Sequence, residues 1–113
     1  MDTLKFEGKP VKLVFDQYRN NGCLAVCLVF ADGGNQVISK NLWDPEDITT
    51  EKPTDEFCAF IDTNNMGDEI CDWLEQNNIG TFTNNFGFSG FCMYPEFKFE
   101  PSIIEQNKFA AKA

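Results

Sequence analysis

Apolar residues come in short runs through the first forty positions, divided by glycine, asparagine and proline. Leu4–Glu7 and Val11–Phe15 flank Gly8-Lys9-Pro10, a reversal signal that predicts an opening hairpin. Asn20-Asn21-Gly22 ends the Tyr18 segment and launches Cys23–Phe30, and Asp32-Gly33-Gly34-Asn35 then turns into a strand over Gln36–Trp43. In CLAVCLVF, residues 23–30, Leu24, Val26, Leu28 and Phe30 point one way and the smaller Cys23, Ala25, Cys27 and Val29 the other. A strand apolar on both faces is expected to be central and covered on both sides.

After Trp43 the pattern breaks. Asp44–Thr54, with Pro45, Pro53 and five charged residues, reads as an exposed loop before a short strand around Glu56–Ile61. From Asp68 to Asn78 the period becomes helical: Ile70, Trp73 and Leu74 recur at i, i+3, i+4 beside Cys71. Asn64, Asn65 or Asp68 can cap this helix, Asp68 and Glu69 suit its positive end, and Gly80 suits its stop. The chain closes with a strand over Phe91–Phe99, in which Phe91, Met93, Phe97 and Phe99 share the core face with Pro95. Cys92, Tyr94, Glu96, Lys98 and Glu100 alternate on the other face. Pro95 cannot donate to a ladder, so this strand is expected at an edge or bulged. Just before it, Phe86 and Phe88 stand among the turn formers Asn84, Asn85, Gly87, Ser89 and Gly90. They are expected on a loop, either folded back on the core or exposed as anchors for a partner. The elements predict an α+β fold, an antiparallel sheet of about five to six strands with one helix packed on one face. Residues 1–106 read as a single domain and 107–113 as a frayed tail.

Composition adds constraints on chemistry. The chain has 113 residues, enough for one core, and its five cysteines form no C-x-x-C pair and lie in apolar runs, so they read as buried thiols. The start lacks a secretory pattern and no run is long enough to span a bilayer, which predicts a cytoplasmic, reduced protein without membrane contact. There is no histidine, the commonest general base and neutral metal ligand, so Ser–His and Cys–His nucleophile pairs are excluded. Asp68 and Asp72, at i and i+4, could share a proton or a hard cation. Asp62-Thr63-Asn64-Asn65-Met66-Gly67-Asp68 begins like a calcium loop but has Met66 at its fifth position and Trp73 where the bidentate glutamate belongs. No phosphate-binding glycine fingerprint and no basic patch occur, so no cofactor and no direct nucleic-acid contact are expected.

The net charge of −9 is concentrated. Residues 44–75 hold eleven carboxylates, Asp44, Glu46, Asp47, Glu51, Asp55, Glu56, Asp62, Asp68, Glu69, Asp72 and Glu75, against the single Lys52, while the two flanking segments nearly cancel. If loop and helix lie together, they form a field that repels phosphates and attracts a basic protein groove.

Three blocks carry a resemblance. Tyr18-Arg19-Asn20-Asn21-Gly22-Cys23-Leu24-Ala25, then Phe60-Ile61-Asp62-Thr63-Asn64-Asn65 with Trp73-Leu74 and Gly80, then Ser89-Gly90-Phe91-Cys92 with Tyr94-Pro95, resemble a small bacterial family of unknown function met on plasmids, phages and conjugative elements of gut bacteria. The resemblance implies an accessory role on a mobile element and no particular activity. Charge and resemblance together predict a non-enzymatic interaction domain, a defence-system inhibitor or nucleic-acid mimic, existing as a monomer or weak homodimer. Its partner would be a protein with a basic surface, met by Asp44, Glu46, Asp47, Asp68, Glu69, Asp72 and Glu75 with Phe86 and Phe88 as anchors. The alternatives are a carboxylate-based metal module or enzyme built on Asp62 and Asp68, and a structural protein whose aromatic edge pairs with itself.

Overall fold

The computed structural model describes residues 4–109. Its first sheet contains β1 (Lys5–Phe6), β2 (Lys9–Gln17), β3 (Leu24–Phe30) and β4 (Asn35–Val37) in that order. Its second contains β5 (Ser39–Lys40), β6 (Cys58–Ile61), β7 (Gly80–Ser89) and β8 (Cys92–Phe99), ordered β5-β6-β8-β7. Three short helices, α1 (Thr63–Met66), α2 (Glu69–Gln76) and α3 (Pro101–Gln106), complete the described chain. The sheets are antiparallel and the fold mixes helix with sheet, as expected. In place of one sheet of five to six strands with a single helix, there are two four-stranded sheets and three helices among the described residues.

Ile38 explains the division. It is fully buried, its N–H donates to Val26 C=O in the first sheet (2.9 Å), and its C=O accepts the Asp62 N–H in the second (2.8 Å). The run over residues 35–40 therefore bends at one apolar residue and serves both ladders, where periodicity alone reads a single strand.

The core lies between the sheets. Val11, Leu13 and Phe15 stand opposite Phe30, Leu28 and Val26 in the β2–β3 register, and Ala59, Ile61, Phe97 and Phe99 close on them from the second sheet. β3 is central in its sheet, with Leu24, Val26 and Leu28 buried and Ala25, Cys27 and Val29 half-buried on the other face. From α2, Ile70 and Leu74 enter the core, and the Trp73 indole N–H donates to Lys5 C=O (2.6 Å) while its ring meets Phe6 edge-on at 5.4 Å. Asp62 caps α1 by accepting from the Asn65 N–H and side-chain amide, whereas Asp68, just before α2, makes no side-chain cap bond.

The C-terminal third departs furthest from expectation. Phe86 and Phe88 belong to β7, a ten-residue strand rather than a loop. β8 is an interior strand, not an edge, because Pro95 lies beyond the last β6 pair, Phe60 with Glu96. The irregularity expected near Pro95 is present across the ladder, where the β7 register shifts between Phe82 and Phe86. Phe97 and Phe99 are buried, but Phe91 and Met93 are exposed, while Tyr94 and Glu96, assigned to the outer face, are buried. The sequence pattern predicts no α3, although Pro101 at its first turn is a start signal. The tail was expected to fray from Asn107; instead Asn107 C=O accepts the Phe15 N–H (2.9 Å) and the Phe109 N–H donates to Phe15 C=O (2.7 Å). The rest of that tail, residues 110–113, lies outside the described residues. No helix among the described residues is long and apolar enough to cross a membrane.

Candidate functional site

Strand alternation makes the two faces of the second sheet chemically different. Phe97 points into the core, so its neighbours Glu96 and Lys98 point outward. The 44–57 loop covers this outer face. Glu96 is almost completely buried beneath it: one carboxylate oxygen accepts from the hydroxyls of Thr54 and Thr83, each at 2.7 Å, and the other from the Thr54 N–H, also at 2.7 Å. The loop is further tied by an Asp55–Lys98 ion pair at 3.4 Å and by Lys52 Nζ lying 4.8 Å from the Trp43 ring centre. Within it, Asp44 and Asp47 accept from the backbone N–H groups of Glu46 and Thr49. The Thr49 hydroxyl, with that N–H, holds Asp47 below the ordinary carboxylate range.

Helix α2 packs on the opposite, core-side face, where Ile70 and Leu74 join Phe97 and Phe99. Asp68, Glu69, Asp72 and Glu75 are all exposed there. The acidic stretch is thus divided between the two faces, Asp44, Glu46 and Asp47 on the loop side and the α2 carboxylates on the core side. The Glu75 carboxylate accepts the Phe82 N–H at 3.2 Å, and the Phe82 ring meets Phe86 edge-on at 5.2 Å. Glu75, Phe82 and Phe86 therefore link the acidic helix to the hairpin formed by β7 and β8.

Beyond the helix this hairpin carries an open apolar face. Phe86 pairs with Pro95 and Phe88 with Met93, which places all four side chains on the side that Phe97 occupies further along β8. Phe86 is 37% exposed, Phe88 56% and Met93 51%, and Phe91 at the turn is fully exposed. Sequence reasoning singled out the first two and missed Met93 and Phe91. The available signal was Gly90-Phe91 as a two-residue turn between equal β runs. The hairpin's other face is closed by Gly87, where a Cβ would stand 2.6 Å from Leu42 and 2.8 Å from the Phe60 ring.

Of the candidate metal residues Asp62 has another role, whereas Asp68 is exposed and makes no side-chain cap bond. Asp62 is buried as the α1 cap, and among the described residues no group of three or more His, Cys, Asp or Glu is placed to hold a metal ion. Of the five thiols only Cys58 is fully buried, and the other four are half-buried. Burial, reinforced by its hydrogen bond with Asp55, pushes the Cys58 thiol from an ordinary 9.0 up to about 12. Because its folded value is the raised one, the contribution to stability is full below pH 9 and is lost as pH rises towards 12. Cys58 is expected to resist iodoacetamide at pH 8 in the folded protein and to react once urea is added, as mapped by peptide mass spectrometry. Rapid native labelling would show that the loop does not shield it. A concave site of about 450 Å³, lined by Phe15, Leu24, Phe57, Ile104 and Phe109 among others, includes none of the hairpin residues.

Neither a curated protein nor a solved structure matches the chain. The family model described as Domain of unknown function (DUF4313) matches residues 12–112, nearly the whole length, and the chain belongs to that family.

Proposed function

We propose that the domain is a non-enzymatic protein-binding module that docks a basic partner on the core-side face of its second sheet. One observation carries the reading: the Glu75–Phe82–Phe86 contacts join an acidic helix to an exposed aromatic hairpin on the same side of the molecule. Carboxylates steer a basic partner and accelerate its encounter, while desolvated aromatics supply the affinity. Asp68, Glu69, Asp72 and Glu75 are the steering charges and Phe86 and Phe88 the anchors. Asp44, Glu46 and Asp47, on the other face, give the domain a second negative surface. A defence or nucleic-acid-handling protein, basic because it meets phosphates, is the partner class that fits this charge and the mobile-element context that the sequence blocks suggest.

The test is a pull-down of the tagged protein from a lysate of its source cells at low and moderate salt. Capture of a basic protein at about 50 mM salt, with loss at about 300 mM, is expected, since the Debye length roughly halves over that range. Asp68→Lys/Asp72→Lys should abolish capture, and Phe86→Ala/Phe88→Ala should weaken it at both salts. Capture that ignores both salt and charge reversal would sink the electrostatic reading.

A further inference from the structure

The free edge of β7 lacks the protection that natural edge strands carry. β7 is the outermost strand of its sheet, ten residues long, and contains neither lysine nor proline. Every residue from Gln76 to Pro95 is uncharged, in a chain of net charge −9. Near the helix the edge is closed, because Glu75 accepts the Phe82 N–H. Among the described residues no carboxylate closes the outer half in this way.

Register fixes which backbone groups the outer half presents. Ser89 and Cys92 close a two-residue turn and so form a hydrogen-bonded pair, which makes Gly87–Tyr94 hydrogen-bonded and Phe88–Met93 and Phe86–Pro95 the alternating non-bonded pairs. Pro95 has no N–H to offer, which agrees. At non-bonded positions the N–H and C=O groups point away from the partner strand. Phe86 and Phe88 therefore turn their backbone groups to the open edge, while their exposed rings stand on the sheet face beside it.

We propose that this edge pairs with the β7 edge of a second copy of the chain, antiparallel about a two-fold axis at Gly87. Phe86 of one copy then exchanges backbone hydrogen bonds with Phe88 of the other, twice by symmetry, and the two sheets join into one of eight strands. At this register the Gly90-Phe91 turn lies beside Thr83-Asn84 of the opposite β7, the stretch where the register shifts and Asn84 adopts φ of 73°. Because residues 76–95 carry no charge, the seam brings no like charges into direct contact, and the acids flank it at a distance. Phe86, Phe88, Phe91 and Met93 leave exposed the equivalent of two phenylalanines and half a methionine, about 500 Å² of apolar surface per copy. The two copies together can bury at most about 1,000 Å², the lower bound of a specific interface, so the dimer is weak, with a dissociation constant on the order of 10 μM. The inference does not depend on the basic partner proposed above, although pairing would set two copies of that docking face side by side.

Sedimentation velocity across about 1 to 200 μM tests it. A mass rising from 12.8 kDa towards twice that value is expected, with tighter association at higher salt because two copies of charge −9 repel. That sign is opposite to the one expected for the basic partner, so either proposal can fail while the other stands. Phe88→Glu should weaken the dimer at least tenfold, and Phe86→Lys/Phe88→Glu, which sets opposite charges across this register, should restore it in part. Both sites are exposed, and an unchanged circular dichroism melt verifies folding; if Phe88→Glu misfolds, Phe88→Lys is the substitute. A wild-type chain that stays monomeric at 200 μM overturns the proposal, as does a dimer indifferent to substitution at Phe88.

Discussion

Glu96→Ala is expected to destabilise the domain by about 3 kcal/mol and to lower its Tm by roughly 10 °C. The carboxylate accepts from three donors at 2.7 Å, so its removal leaves the Thr54 N–H and two threonine hydroxyls unpaired beneath the loop. A buried donor without a partner costs about 1–3 kcal/mol, and partial opening of the loop to water limits the total. The hydroxyls can rotate but the N–H cannot. Glu96→Gln keeps an oxygen for the Thr54 N–H and turns its amide towards the hydroxyls, which can accept, so it should cost only about 1 kcal/mol. The loop is the element that should respond, with faster cleavage at Glu46 and Glu51 by a glutamate-specific protease in the alanine variant. If the Tm of Glu96→Ala stays within a degree of wild type, the three hydrogen bonds do not hold the loop.

Gly87→Ala should cost about 2 kcal/mol although it adds a single methyl group. Its φ is not positive, so the cost arises from space and not from backbone strain. The new Cβ would stand 2.6 Å from Leu42 Cδ1 and 2.8 and 2.9 Å from two carbons of the Phe60 ring. Phe60 is buried and cannot withdraw, while Leu42 is half-buried and can change rotamer. The destabilisation should therefore shrink in a Leu42→Ala background, giving a coupling of about 1 kcal/mol in a double-mutant cycle. Gly90→Ala is the contrasting case. Nothing lies within 4 Å of its added carbon, but its φ of 59° is left-handed, so the cost, about 1 kcal/mol, should persist whatever surrounds it. Equal, uncoupled costs at both glycines would refute the steric account of Gly87.

How far the fold could be read from sequence varied with how local the causes were. The opening hairpin, the β2–β3 pair and α2 are specified by neighbours within a few residues: Gly8-Lys9-Pro10, Asn20-Asn21-Gly22, and the spacing of Ile70, Trp73 and Leu74. Their observed bounds lie within a residue or two of those the pattern predicts. The faces of β8 were misread in part because an alternating pattern assigns sides to a strand without saying where its covering ends. Phe97 and Phe99 lie within the core, where Phe99 meets Phe15 of the first sheet edge-on at 5.5 Å, whereas Met93, on the same face, has passed beyond that covering. Glu96 looks like a surface residue because a glutamate is buried only if donors surround it, and its donors, Thr54 and Thr83, lie 42 and 13 positions away.

The candidate site divides in the same way. That residues 44–75 are acidic and that aromatics crowd 84–99 follows from composition alone. Which acids neighbour which aromatics does not, since the loop and α2 reach the second sheet from opposite faces and it is α2 that lies beside the aromatic face of the hairpin. The sequence by itself determined the turns, the central β3, the amphipathic α2 and the charge of the chain, because each depends on local backbone preference or on simple counting. The tertiary structure alone decided the bend at Ile38, the burial of Glu96 and the open aromatic face of β7, because strand order and sheet coverage depend on long-range pairing that no local pattern encodes.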